Sequence, residues 1–129
     1  MPIVNHRRFG EAAQRASERR RREDEAQRLK AEVPRLETLR LEIEERRMGG
    51  VVAEASHIKR VVVESAPALF VLPCLDRECK DGGHDVTDAI SRSLRSGATR
   101  FEGDHVCGGR LGAADCGRLL RYVGIATYR

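Results

Sequence analysis

The chain has 129 residues, 34% of them charged and 4% aromatic, with 4 cysteines, 12 glycines and a net charge of +4. Residues 1–50 carry 13 basic and 10 acidic groups and residues 51–129 carry 11 and 10, so neither half is a polycation and nucleic-acid binding by overall charge is excluded; it would need local clustering. With the charged first fifty residues set aside, only about eighty remain to build a core, a size at which a disulfide, a metal or oligomerisation usually supplies the missing stability.

The opening Met1-Pro2-Ile3-Val4-Asn5-His6-Arg7-Arg8 lacks the apolar core of a secretory signal, and no apolar run approaches membrane-spanning length. A reducing cytoplasm is therefore expected, with no membrane partner. In that compartment cysteines serve as metal ligands or free thiols more often than as disulfides.

Between Gly10 and Gly49 there is no glycine, and Glu, Arg, Ala, Leu and Gln dominate. These are strong helix formers. Pairs at four-residue spacing, Glu18 with Arg22, Asp24 with Arg28 and Glu42 with Arg46, each add only a few tenths of a kcal/mol. The composition predicts a helical arm over residues 1–50, kinked near Pro34, where the ring removes a backbone donor and disfavours α geometry at Val33. The first piece, about 9–31, has no apolar stripe. In the second, Leu29, Val33, Leu36, Leu39 and Ile43 fall at spacings of three and four, so Leu36, Leu39 and Ile43 are the expected partner-binding face. Docking onto the rest of the chain and a contact with a second copy are both open.

Gly49-Gly50 closes the arm, and residues 51–129 are predicted to form a small domain. Strands are expected at 57–64 and 68–72, a short helix from Asp85 to near Gly97, and strands at 99–106 and 119–128. The fold class is thus α+β, a helical arm followed by a β-β-α-β-β domain.

The cysteines fall in two pairs, Cys74-x4-Cys79 and Cys107-x8-Cys116, with Gly82-Gly83, Gly108-Gly109 and Gly117 close behind them. Four ligands on two loops are what a closed tetrahedral thiolate site requires. Glycine lets such loops turn tightly and brings backbone amides near the sulfurs. One structural Zn2+ on Cys74, Cys79, Cys107 and Cys116 is the reading, with His84 as the possible substitute ligand; His105 is the other nearby imidazole. The paired cysteines resemble zinc ribbons only in the general sense of two ligand-bearing loops. Asp85 and Asp88 have a sufficient explanation as helix-start carboxylates.

A four-thiolate site has neither an open metal position nor an activated nucleophile, so no catalytic residue is assigned and an enzyme is not expected. The expected function is a non-catalytic, zinc-stabilised interaction or assembly module that binds a protein partner or a second copy through the arm. The alternative is a nucleic-acid-associated zinc protein using Arg19, Arg20, Arg21, Arg22, Arg92 and Arg95, since arginine suits phosphate. A metal- or thiol-dependent enzyme is the third reading.

Overall fold

The structure, a computed structural model, describes residues 14, 17–47 and 49–129. Residues 17–25 form helix α1, and a single turn, α2 (Leu29–Glu32), follows it. The remaining elements are β1 (Leu36–Arg46), β2 (Ala55–Val61), β3 (Val71–Leu72), β4 (His84–Asp85), α3 (Thr87–Arg95), β5 (Arg100–Val106), β6 (Arg110–Leu111), β7 (Ala114–Asp115) and β8 (Leu119–Tyr128). Four strands make one sheet in the order β2-β1-β8-β5, antiparallel throughout. Two short hairpins, β3-β4 and β6-β7, stand apart from it.

The largest departure from expectation is β1. Residues 36–46 are the second strand of the sheet and not the second half of a helical arm. Leu39, Leu41, Ile43 and Glu45 lie on one face at 3%, 0%, 3% and 0% exposure, the alternation that a half-buried strand requires. A bulge between Leu36 and Thr38 inserts one extra residue, which brings Leu36 onto the same face as Leu39 although they are three apart. That spacing imitated a helix. Good helix formers here lose to strand partners on both sides, because propensity is worth only tenths of a kcal/mol per residue. Leu36, Leu39 and Ile43 are consequently core residues and not a partner-binding face.

The boundary expected at residue 50 falls between β1 and β2, which pair from Leu39↔Val61 to Glu45↔Ala55. Of the first helical piece, residues 17–25 are helical and Pro34 sits in a turn. Residues 26–28, also expected to be helical, instead leave the helix, with Arg28 in a bridge to Pro67; of the remainder, residues 9–13, 15 and 16 lie outside the described residues. The segment after α1 is tied down by the amides of Leu29 and Ala68, which donate to Ala66 (2.9 Å) and Gln27 (2.7 Å). The expected strand at 68–72 shortens to β3, and α3 and the last two sheet strands form where predicted.

The core lies on one side of the sheet, where Ile90 and Leu94 of α3 and Leu29 of α2 pack with Leu36, Leu41, Phe70, Leu72 and Leu120. Two strand glycines let aromatic rings lie flat on the backbone opposite them. An added Cβ would come within 2.2 Å of the Phe101 ring at Gly124 and 2.4 Å of the Tyr122 hydroxyl at Gly103, and both are directly opposite cross-strand pairs.

Asp85 joins α1 to α3. Its carboxylate accepts from the Thr87 amide at 3.2 Å and from Arg22 at 3.3 Å. Burial alone would raise its pKa, but the two hydrogen bonds from Thr87 and the Arg22 charge outweigh burial and hold it below the usual carboxylate range.

Two outcomes are expected in denaturant titrations. Leu41→Ala should cost about 2–5 kcal/mol and Ile58→Ala no more than about 0.5; a negligible Leu41 effect would contradict the strand, since Leu41 lies off the apolar stripe of a helix. Asp85→Ala should cost about 1 kcal/mol, mostly from the lost helix-start bond because the half-exposed Arg22 pair is screened. A depressed folded pKa makes that contribution complete above the unfolded value of about 3.9 and lost as pH falls through the folded one. The gap between wild type and Asp85→Ala should therefore close in acid.

Candidate metal centre

The ends of the strands determine where the cysteines meet. Cys74 and Cys79 sit in the loop of the β3-β4 hairpin, and Cys107 and Cys116 flank the β6-β7 hairpin. That hairpin accounts for the long second spacing. Because Val106 pairs with Leu119 and the Cys107 amide donates to Arg118 at 2.9 Å, the second pair emerges at one end of β5 and β8. An antiparallel bridge between Lys80 and Arg110 clamps the loops through reciprocal amide-to-carbonyl bonds of 2.9 Å each.

All four Sγ atoms lie within 4.8 Å of one another. Cys74 and Cys116 are 3.8 Å apart and Cys79 and Cys107 are 3.7 Å apart. A tetrahedral ion with metal–sulfur bonds of about 2.3 Å has sulfur–sulfur edges of about 3.8 Å, so the separations are compatible with one metal ion held by four thiolates. Gly82 and Gly109 are wrapped against the sulfurs. An added Cβ on Gly82 would lie 2.4 Å from Cys79 Sγ and 2.6 Å from Cys107 Sγ, and one on Gly109 would lie 2.4 Å from Cys79 Sγ.

The electrostatics fit a cation. Burial, with hydrogen bonding among the sulfurs, pushes the Cys79 thiol up to about 12 and raises Cys74 as well. Thiols so crowded cannot all ionise unless a positive ion sits between them. At Cys107 burial also works upward, but the amides of Gly109 (3.4 Å) and Gly83 (3.3 Å) donate to the sulfur and hold the thiol below its ordinary value. Amides aimed at a sulfur are the usual support of a bound thiolate.

Around the cluster lies a buried polar group centred on Glu45, at the end of β1. Its carboxylate accepts from the Leu75 amide at 3.3 and 3.2 Å and from Arg118 Nε, and Cys74 Sγ is 3.6 Å away. Arg118 also donates to Glu54 at 2.8 Å. Its guanidinium supplies the positive charge that lets a carboxylate sit so close to a sulfur of the cluster. The sequence assigns Glu45 no role and Arg118 only a place among the arginines near the cysteines that suit phosphate; the structure buries Arg118 against Glu45 instead. The signal for Glu45 was its place in the alternation Leu39, Leu41, Ile43, Glu45.

His84 is fully buried and stands outside the four-sulfur cluster. Its Nδ1 lies 2.9 Å from His105 Nδ1, and its Nε2 is 3.4 Å from Glu45 Oε2 without the alignment of a hydrogen bond. Burial lowers its pKa despite the opposing Glu45 charge, so the ring is neutral. His105 lines an open cleft of about 570 Å³ together with Arg22, Asp85, Asp104 and Tyr122.

The arginines considered for phosphate are dispersed. Arg19, Arg20, Arg21 and Arg22 are exposed on α1. Arg92 and Arg95 are exposed on α3, with Arg95 4.0 Å from Glu32. Arg22 and Arg92 share a cleft that three aspartates line with them, and Arg19 and Arg22 share a second one.

Removing the Glu45 carboxylate should be costly, because it strands the buried Arg118 and the Leu75 amide. Breaking a buried pair costs about 3–5 kcal/mol, and the surviving Glu54 contact places Glu45→Ala at the lower end. The double variant Glu45→Ala/Arg118→Leu should recover part of that loss in the same denaturant titration, and an additive double would remove the coupling claimed here.

No protein-family model matches the chain, and no curated protein or solved structure matches it significantly.

Proposed function

We propose that the chain is a non-catalytic module stapled by one structural zinc ion and working by binding. The observation that carries this reading is the closed donor set: four sulfurs within 4.8 Å, three of them partly exposed and Cys107 buried. Four protein ligands complete a tetrahedral ion, whereas catalytic zinc keeps a fourth position for water or substrate. The ion would join the β3-β4 loop to the end of β5 and the start of β8, linking two layers that a domain of this size holds together with little apolar burial of its own. Thiolate ligands require a reducing surrounding, which makes the cytoplasm the proposed compartment.

Elemental mass spectrometry on protein purified without added metal tests this. One zinc per chain is expected, lost with each of Cys74→Ser, Cys79→Ser, Cys107→Ser and Cys116→Ser together with cooperative unfolding. Gly82→Ala should lower metal retention too, since its methyl would intrude on two sulfurs. Iron in place of zinc would remove the metal assignment, because four tetrahedral thiolates suit both. Metal-free protein whose cysteine variants stay folded would overturn the staple.

A second reading, nucleic-acid binding, is favoured by one observation. Arg19 and Arg22 of α1 line a cleft of about 720 Å³ with Arg77 and Lys80 of the metal loop. Under this reading affinity for single-stranded RNA or DNA falls steeply with salt. Absence of binding at low salt would leave the protein-binding reading alone.

A further inference from the structure

Because side chains alternate along a strand, the sheet has a second face. None of its residues belongs to the buried core, which draws on the opposite parity of β1, β5 and β8. This face is organised by charge in rows across the strands. One row reads Arg60, Arg40, Ile125, Arg100, and the row beside it reads Ile58, Glu42, Val123, Glu102. A basic row and an acidic row thus run side by side, each with an apolar residue contributed by the central strand β8.

Within the chain these charges are poorly served. Arg40 stands directly opposite Arg60, and like charges so placed destabilise a sheet. The Arg40 Nε is buried with no hydrogen-bond partner. Among the described residues, Arg40, Arg60, Arg100, Glu42 and Glu102 have no opposite charge within ion-pair distance. Ile58, also on this face, is 54% exposed.

We propose that a second copy of this chain covers the open face. The inference rests on the reading of the chain as a binding module and names its partner. A two-fold axis lying across the strands, between the two rows, keeps each strand over its own counterpart and exchanges the rows. Arg40 then faces the partner's Glu42, Arg100 faces the partner's Glu102, and Ile125 meets the partner's Val123. Both of these arginines meet an opposite charge, Arg60 lies over the partner's Ile58 at the rim, and the apolar pair lies near the centre. Sheets pack face to face about 10 Å apart, with strands about 30° from parallel, which suits side chains of this length. The shared footprint is roughly 19 by 23 Å, or about 900 Å² for both copies. That lies just below the range of stable interfaces, so the dimer is reversible and concentration-dependent.

Sedimentation equilibrium of the metal-loaded full chain from about 1 µM to 1 mM tests this, a range that brackets a weak dimer. Mass is expected to rise toward twice that of the chain, and association to weaken with added salt. Two variants then test the row exchange: Arg40→Glu/Arg100→Glu puts carboxylates on both sides of the two facing charge pairs, and Glu42→Arg/Glu102→Arg puts guanidiniums there. Each alone should self-associate about 100-fold more weakly than wild type, and an equimolar mixture should recover the dimer. Far-UV circular dichroism and metal content identify variants that fold. A monomer over the whole range assigns the face to another occupant and overturns the proposal, as does a dimer indifferent to salt or to both variants. Failure with zinc still bound sinks the dimer alone, whereas loss of the metal finding sinks the reading beneath it.

Discussion

The buried carboxylate of Glu45 is the interaction through which the two halves of this molecule depend on each other. It sits at the end of the strand that runs through the sheet interior, it accepts from an amide of the first cysteine loop, and it neutralises an arginine that lies two residues after Cys116. Sheet and metal loops are therefore not separate modules joined by a linker. A register slip in β1 by one residue would turn Glu45 outward and leave Arg118 and the Leu75 amide without it. The polar group thus specifies strand register where an apolar side chain would only contribute burial, a role for buried ionic groups argued here for this chain alone.

How much of this was legible in the sequence depends on the residue. That the four cysteines would gather was readable, because two pairs on glycine-flanked loops are the pattern of a shared site. The long spacing between Cys107 and Cys116 looked loose only because β6 and β7, two residues each, are too short for periodicity to register. Strands rich in β-branched residues, such as β8, announced themselves. Strand β1 did not. Its Leu, Glu and Arg favour a helix intrinsically, and a bulge at its start gave the leucines a spacing of three. Reading Leu41 together with Leu39 and Ile43 would have exposed the two-residue period and, with it, the inward position of Glu45. The contact between His84 and His105 was hidden, because two imidazoles 21 positions apart meet only once β4 and the end of β5 are placed by tertiary structure.

Alternation along β1 also decides which side chains reach the surface. Leucines assigned to a contact between molecules are consumed by the core, and the surface left over is the charged face on the other side of the same strand. Alternation thus gives β1 two jobs at once: its odd-numbered residues from Leu39 hold the domain together, and its even-numbered ones from Arg40 are presented outward.

The pairing of β1 with β8 joins residues 36–46 to residues 119–128, which gives the sheet a temporal order as well as a spatial one. While the chain is being made, β1 can hairpin with β2, but the apolar side chains of Leu39, Leu41 and Ile43 wait for β8, which follows every other described strand in the sequence. Both cysteine pairs emerge before that strand does. A metal ion, if the cysteines bind one as proposed, would gather the intervening loops early and shorten the effective loop that β8 closes. The order of synthesis and the long separation of β1 from β8 thus make the cysteine loops the natural place for the fold to begin closing.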